Sequence, residues 1–370
     1  MRIIIACFLH IDELPPMMTA LKVLTKKYEV LYIGVDDWSQ SYEELFGKNI
    51  QFINLLKMKL SDSQQLKNKI NNFVYWKTYK YNLRKAGSLI ERNYRKGDLV
   101  WIYHEYTLMN MKRLKVPFYL TMYELHQDLF KNKCELKDRI RKATKVIVPE
   151  YTRAAIVQAC VGLEALPSIV PNKPYDFEQP LTELAENPMD KISKDAHAAG
   201  KKVIIYSGIF LRERKLDTFI EAIQRLKDRY TLVFLGRKSE YLDELLQKYP
   251  SVKYLGFYNP PSHLSIIEKA DVGILTYVAD CGSINPVFCA PNKIWEYAKY
   301  GIPMLCNDIP GLKYTVEYNE IGYCCDINSV DSICNTLNKI YDEFEQLSAE
   351  AKKYYETVNV EKSILDVVEE

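Results

Sequence analysis

The chain has 370 residues, of which 48% are apolar and 26% are charged, and this balance excludes a disordered protein. Its formal net charge of +2 at pH 7 indicates no particular class of partner for the chain as a whole. The length is sufficient for two domains of ordinary size, each with its own core.

The cysteines and the N-terminus both indicate a cytoplasmic protein. Nine cysteines are scattered along the chain without a Cys-x-x-Cys pair, which is typical of reduced thiols that pack as small apolar groups. The first apolar run, RIIIACFL, has no small-residue cleavage site and predicts a buried strand rather than a signal peptide. No run approaches the roughly 18 apolar residues of a membrane span.

Short apolar runs alternate with amphipathic segments of helical length. In the first half these runs are RIIIACFL, YEVLYIG, DLVWIYH, VPFYLTMY and KVIVPE. In the second half they are KVIIYSGIF, YTLVFLGR, VKYLGFY, VGILTYV, IPMLCND and GYCCD. Runs that are apolar throughout predict parallel strands covered on both faces, and their alternation with helices predicts doubly wound α/β sheets.

A polar, proline-bearing stretch from Pro171 to Lys202 separates the two series of strands. We therefore predict two Rossmann-like domains that face each other across a cleft, over residues 1–172 and 173–347. In open α/β sheets ligands bind beyond the carboxyl ends of the strands, so functional residues are expected there.

An anion site is predicted after the first strand of the second series. The glycine turn at Gly208 is followed by Arg212, Arg214 and Lys215, and then by the helical segment LDTFIEAI. A glycine turn, cations and a helix N-terminus together favour a diphosphate, although basic residues in a surface turn can also be merely solvated.

A second helix start follows the polar loop ADCGSINPVFCAPNK, which contains Gly282, Ser283 and Asn285. The helix after it carries a carboxylate, Glu296, in its first turns. Such a carboxylate can simply favour the helix dipole, a contribution of about a few tenths of a kcal/mol, or it can bind a ligand.

The order of these segments resembles the donor-binding domain of retaining glycosyltransferases of family 4, which have the GT-B fold. The likeness is closest to the bacterial surface-polysaccharide branch, in which an Asn lies six positions before a Pro-Asn-Lys-x-x-Glu-Tyr run. Asn285 and Pro291 have this spacing.

The resemblance implies roles for individual residues of the second half. It implies that Glu296 accepts hydrogen bonds from both ribose hydroxyls of a nucleotide-sugar donor. Arg214 and Lys215 are expected to neutralise the diphosphate during catalysis. The other donor-binding residues that it implies are Gly208, Arg212, Gly236, Ser283, Asn285, Asn292 and Lys293.

In the first half the segment PFYLTMYELHQDLF resembles the part of the same family in which a His-Glu pair follows a buried strand. His126 matches the histidine and is expected to be catalytic, near the donor sugar, whereas Gln127 replaces the glutamate. The resemblance also implies that a C-terminal helix over 348–370 returns to the first domain.

Three further positions, in the second half, depart from the family pattern. Phe288 stands where many members have a second glutamate, and Ile209 stands where an arginine usually follows the glycine. Arg214 replaces a lysine, but a guanidinium can still bind phosphate oxygens bidentately.

The segment 57–96 is strongly basic, with eleven Lys and Arg against two acidic residues and hence a formal charge of +9. Phe73, Tyr75, Trp76, Tyr79 and Tyr81 are interleaved with these cations. This pattern is typical either of an anionic membrane surface or of a solvated helix whose aromatic residues pack inward. No nucleic-acid motif accompanies the charge, so nucleic acid is not an expected partner.

We therefore expect a hexosyltransferase-type GT-B enzyme that moves a sugar from a nucleotide-diphosphate donor to a glycan or lipid-linked acceptor. It is expected to need no metal or other cofactor, because the chain has no Asp-x-Asp to hold a divalent ion. Its expected location is the cytoplasm, with possible peripheral association at the inner membrane face. The alternatives are a nucleotide-sugar 2-epimerase of the same fold and a non-catalytic GT-B subunit.

Overall fold

The chain forms two compact units. One comprises Met1–Tyr175 with Val360–Glu370, and the other comprises Asp176–Asn359. The computed structural model describes residues 1–36, 40–56, 69–132, 134–175, 186–278 and 283–370, with the backbone alone at 40, 41 and 69–78.

The first unit is built on a parallel sheet. Its strands are β1 (Arg2–Ala6), β2 (Glu29–Gly34), β3 (Ile50–Asn54), β4 (Leu99–Tyr103), β5 (Tyr119–Thr121), β6 (Lys145–Val148) and β7 (Ser168–Ile169). They lie in the order β3-β2-β1-β4-β5-β6-β7. Ile3, Ile4 and Ile5 are all fully buried, since successive side chains point to opposite faces and both faces are covered.

Helices connect these strands and cover the sheet. They are α1 (Pro15–Lys27), α2 (Gln40–Phe46), α3 (Lys69–Asn93), α4 (Glu105–Asn110), α5 (Glu135–Ile140) and α6 (Tyr151–Val161). Short 3-10 turns lie at Ile11–Glu13 and Gln127–Phe130.

The second unit repeats this architecture. Its strands are β8 (Lys202–Ser207), β9 (Tyr230–Leu235), β10 (Lys253–Tyr254), β11 (Val272–Leu275), β12 (Met304–Asn307) and β13 (Gly322–Cys325), in the order β10-β9-β8-β11-β12-β13. Its helices are α7 (Pro188–Ala198), α8 (Leu216–Arg225), α9 (Glu240–Lys248), α10 (Leu264–Ile267), α11 (Lys293–Lys299), α12 (Pro310–Leu312), α13 (Val330–Asp342) and α14 (Phe344–Thr357), with a 3-10 turn at Arg212–Arg214 and a π-helical turn at Lys313–Glu317. The strand order changes direction beside β8, where ligands of doubly wound sheets bind.

The predicted returning segment 348–370 divides between the two units. Helix α14 stays in the second unit, where Tyr354 stacks on Trp295 of α11 with ring centroids 5.2 Å apart. Only α15 (Val360–Glu369) belongs to the first unit. Its buried Ile364 and Val367 join the core of that unit, and its last turn binds Lys27 through Glu369.

None of the helices in the described part of the chain combines the length and the hydropathy that are needed to cross a bilayer.

Candidate functional site

The carboxylate of Glu296 is held by two basic side chains. Its Oε2 lies 3.1 Å from Nζ of Lys293, one helical turn earlier, and 3.3 Å from Nε2 of His263, at the start of α10. Within the described residues, no hydrogen bond is made to its second oxygen, Oε1. The side chain is 13% exposed, so one oxygen is fixed and the other stays available to a ligand.

Glu296 is ionised at neutral pH. Burial by itself would raise the pKa of this carboxyl group, but the charge of Lys293 and the hydrogen bond with His263 outweigh burial and lower the pKa to about 2. An ionised carboxylate is a stronger hydrogen-bond acceptor than a neutral one, and it is suited to hydroxyl donors.

Helix α11 is fixed against the sheet from both ends. The ring of Tyr297 packs so closely on Gly273 of β11 that a Cβ at Gly273 would lie 2.5 Å from it. Gly301, at φ +65°, ends the helix, and the amide of Ile302 then donates to the carbonyl of Tyr297 at 3.0 Å. The predicted helix and its glycine stop are therefore both present, and they hold Glu296 rigidly.

Two glycines follow β8 and β9 at the same edge of the sheet. A Cβ at Gly236 would lie 2.0 Å from the carbonyl oxygen of Gly208, so only glycine permits this approach of the two turns. A Cβ at Gly208 would lie 3.9 Å from Cε of Lys293. Gly208, Gly236 and Lys293 are thus brought together as neighbours.

Arg214 lies at the carboxyl end of β11. Its Nη1 donates to the carbonyl of Thr276, and its guanidinium lies 4.2 Å from the ring centroid of Tyr277. Asn307, at the end of β12, fixes Tyr277 by accepting from its amide at 3.0 Å and donating to its carbonyl at 2.8 Å. Burial raises the pKa of Tyr277, and the charges of both Arg214 and Glu296 act on its hydroxyl. Arg214 is therefore held by Thr276 and Tyr277, and Asn307 fixes Tyr277 in turn.

Lys215 occupies a left-handed conformation, φ +51°, at the start of α8. Its Nζ donates to Oδ1 of Asn328, next to β13. A cavity of about 300 Å³ lies beside it, lined by Lys215, Tyr277, Val278, Asn307, Asp308, Ile309, Cys325, Asp326, Ile327 and Asn328. Lys215 and Arg214 are consecutive, but their cationic groups bind different strand ends.

Arg212 does not join this group. Its guanidinium pairs with Glu244 of α9 and lies 5.4 Å from the ring centroid of Tyr241, with the side chain 66% exposed. Ile209 is likewise 66% exposed, at the position where the family pattern has an arginine.

The structure describes the loop before α11 from Ser283 onward. Ser283 and Asn285 are partly buried, and Gly282 lies outside the described residues. Asn292 precedes the first turn, and its carbonyl accepts from the amide of Glu296 at 3.3 Å. Gly311 packs closely against the backbone of Phe288 and Cys289, and this packing fixes the end of the loop that precedes α11.

His263, Tyr277 and Asn307 belong to this site but were not predicted from the sequence. The sequence does contain a feature that could have predicted Asn307 as a site residue, because it is a polar residue directly at the end of an apolar run. No sequence feature predicts His263, since its contact with Glu296 forms only when the two helices pack.

The first unit has its own cluster of titratable groups around Glu105. This carboxylate is fully buried at the start of α4, and its Oε1 lies 3.3 Å from both Nε2 of His126 and Nδ1 of His104. Its Oε2 accepts from the amide of Tyr123 at 3.1 Å. His104 has φ +74°, a positive value that is uncommon for residues other than glycine. The predicted residue His126 is thus oriented by a buried glutamate that the sequence did not reveal.

The pairing of His126 with Glu105 predicts a shift in the pKa of His126 that can be measured. The pairing with Glu105, with 3.3 Å between Nε2 and Oε1, raises the pKa of His126 above its usual value, against the opposing effect of partial burial. The stabilisation from this pairing is therefore complete below the unfolded-state pKa of His126, and it is lost as the pH rises through the raised value. In a proton NMR titration, Glu105→Gln should return the pKa of His126 toward the usual value of about 6.5. An unchanged pKa of His126 in this variant would contradict the pairing.

Comparisons with known proteins agree with this architecture. Residues 189–356 match the family model of glycosyl transferases group 1. No curated protein matched the chain at a significant level.

Solved structures of similar fold cover the whole chain. Anabaena HepE in complex with UDP matches with a TM-score of 0.68 at 14% identity, covering 100% of this chain and 99% of that one. Trehalose-6-phosphate synthase OtsA matches with a TM-score of 0.68 at 10% identity, covering 100% and 98%. Sucrose-phosphate synthase from Thermosynechococcus elongatus matches with a TM-score of 0.63 at 13% identity, covering 100% and 97%. The chain therefore has the GT-B fold, and residues 189–356 of its second unit are similar to glycosyl transferases group 1.

Proposed function

We propose that this protein is a glycosyltransferase that takes a sugar from a nucleotide-diphosphate donor bound in the second unit. The observation that carries the proposal is the ionised carboxylate of Glu296, with Oε2 fixed by Lys293 and His263 and with Oε1 available. The family match over 189–356 supports the same reaction class. The bound UDP of HepE supports a nucleotide donor in a protein of the same fold.

Each residue of the site has a proposed role toward that donor. Glu296 accepts from the ribose hydroxyls, because a carboxylate is an acceptor only and both hydroxyls can donate. Gly208 and Gly236 let the backbone approach the donor closely. Arg214 binds the diphosphate through the guanidinium donors that Thr276 leaves free, and Lys215 adds a second positive charge nearby.

In the proposed transfer the bond between C1 of the sugar and the diphosphate oxygen breaks, and its electron pair stays on the diphosphate. A bond forms between C1 and an acceptor hydroxyl oxygen, which releases its proton. Fixed cations stabilise the leaving group because they need no reorganisation as its charge develops. On the resemblance to retaining enzymes, we assign His126 a catalytic role. On the same resemblance, we propose that the configuration at C1 of the sugar is retained, and NMR of the product anomer tests this.

The proposed reaction needs no metal ion, since Arg214 and Lys215 carry the leaving-group charge. We expect activity to survive an excess of EDTA unchanged, as measured by release of nucleoside diphosphate. Addition of magnesium or manganese after dialysis should not raise the rate. A loss on chelation that either ion restores would contradict this assignment.

The acceptor that we propose is a growing surface polysaccharide or a lipid-linked intermediate. Such an acceptor would place the enzyme at the cytoplasmic face of a membrane, to which the basic segment 57–96 would be attracted. Of this segment, 57–68 lies outside the described residues, together with the side chains of 69–78.

Incubation with a panel of nucleotide sugars tests the proposed function. Transfer to an added glycan, or slow hydrolysis of one donor, would support the transferase. Inversion at C2 of the sugar would instead identify the epimerase, and binding without turnover would identify a non-catalytic subunit. The Glu296→Ala variant is the control for each activity, because it removes the ribose contact.

A further inference from the structure

A second pocket lies in the first unit, away from the Glu105 cluster. It has a volume of about 510 Å³, within the usual range for ligand sites. Its lining comes from the carboxyl-terminal half of α3, the end of α4 and the start of α5. The lining residues are Lys80, Arg84, Met109, Asn110, Met111, Lys112, Glu135 and Arg139.

The backbone itself shapes this pocket. Helix α3 passes so close to the segment after α4 that a Cβ at Gly87 would lie 2.8 Å from the carbonyl oxygen of Lys112. Arg139 closes the floor, because its Nη1 donates to the carbonyls of Leu108 and Met111 at 2.5 and 2.9 Å. These contacts fix the positions of the charged groups around the opening.

The charges of the pocket are unbalanced. Among the described lining residues the one carboxylate is Glu135, which is bound to Arg139 with 2.9 Å between Oε1 and Nη2. The side chains of Lys80, Arg84 and Lys112 are exposed, and they make no ion pair or hydrogen bond within the part of the chain that the structure describes. Among the side chains that the structure describes, three cations thus line this concave surface without an ion-pair partner.

Large apolar side chains are exposed on α3 and α4, two of the helices that line the pocket. Met109 lines the pocket and is 36% exposed, and Tyr106 lies one turn earlier on the same helix at 37%. On α3, Tyr81 is 57% exposed, with Nζ of Lys85 4.1 Å from its ring centroid. Of the aromatic residues in the basic segment, Tyr81 therefore faces outward, whereas Phe73, Tyr75 and Trp76 are not described.

We propose that this pocket binds the phosphate headgroup of an anionic phospholipid, with the exposed tyrosines and Met109 entering the interfacial layer. The inference deepens the proposed membrane association and rests on it. A phosphate provides the charge that the three cations lack, and a lipid surface also provides the apolar phase that Tyr81, Tyr106 and Met109 require. A soluble phosphate would explain the cations but not the exposed apolar groups.

Vesicle co-sedimentation of the full chain tests the proposal, with phosphatidylglycerol mixed into phosphatidylcholine and with phosphatidylcholine alone. Wild type should bind the anionic vesicles and release at high salt. The combined variant Lys80→Glu, Arg84→Glu, Lys112→Glu should bind with a partition coefficient about 100-fold lower, the expected loss for three cations at a membrane surface. Inorganic phosphate at millimolar concentration should leave vesicle binding intact.

A matched control separates the pocket from the general charge of the segment. Arg92, Arg95 and Lys96 are exposed, belong to the same basic segment and do not line the pocket. Reversal of these three charges should lower the partition coefficient less than 10-fold. A larger loss would mean that the overall charge of the segment, rather than the pocket, attracts the protein to the vesicle. All variants should keep the wild-type melting temperature and affinity for a nucleoside diphosphate.

Three outcomes would overturn the inference. Equal losses for the two triple variants would assign vesicle binding to diffuse charge and remove the pocket, while membrane association itself would stand. If the wild-type protein does not bind anionic vesicles, both the lipid-binding pocket and the membrane association are refuted. Displacement from vesicles by inorganic phosphate would assign the pocket to a soluble phosphate. None of these outcomes affects donor binding by the second unit, so failure here is distinct from failure of the transferase proposal.

Discussion

Replacing Glu296 by alanine should weaken binding of a nucleoside diphosphate by about 1.5–3 kcal/mol, the usual contribution of hydrogen bonds to a charged group. The affinity should therefore fall roughly 10- to 150-fold in calorimetry. Lys293 and His263 already hold Oε2, whereas Oε1 accepts no hydrogen bond within the part of the chain that the structure describes and can accept from the ligand. Because the pKa is lowered to about 2, the carboxylate remains ionised throughout the accessible pH range.

A 2′-deoxy nucleotide makes this test specific for the ribose. Wild type should prefer the ribonucleotide, and Glu296→Ala should lose most of that preference, as in a double-mutant cycle. Glu240→Ala is the control, because Glu240 is also a first-turn glutamate, on α9 of the same unit, but its side chain is exposed to solvent. Retained discrimination between the two nucleotides in Glu296→Ala would refute the ribose assignment. Melting temperatures should accompany these measurements, since the variant leaves Lys293 and His263 without their common partner.

The strands were predictable because buried parallel strands are apolar on both faces. The runs RIIIACFL and DLVWIYH became β1 and β4, adjacent at the centre of the first sheet. The division of the last segment into α14 and α15 was not predictable in the same way. No glycine or proline interrupts the chain at Val358 and Asn359, and both flanking segments have helical periodicity.

The candidate site was only partly predictable, because a sequence gives the position of a side chain but not its direction. Arg212 and Arg214 are equivalent by composition and spacing. The 3-10 turn at Arg212–Arg214 directs the first toward Glu244 and the second toward Thr276. His263 and Glu105 are found only through packing, since their partners, Glu296 and His126, are distant in the chain.

The second large effect is expected for Arg214. Its guanidinium is held by the carbonyl of Thr276 and by the ring of Tyr277, which Asn307 fixes in turn. A cation that is fixed before the reaction stabilises a leaving diphosphate most, so Arg214→Ala should lower kcat roughly 10²–10³-fold, as for loss of one preorganised donor. The affinity for a nucleoside monophosphate should change much less, because that ligand lacks the terminal phosphate.

Lys215→Ala should have a smaller effect, because its ammonium already binds Asn328. Arg212→Ala is the matched control: it removes a cation from the same turn, but one that is paired with Glu244 at the surface. Its turnover should stay within about twofold of wild type, as expected for an exposed ion pair. Equal losses in Arg212→Ala and Arg214→Ala would show that the turn contributes general positive charge. Arg214 would then not be the fixed partner of the diphosphate, and the leaving-group charge would have to be met by another group of the site.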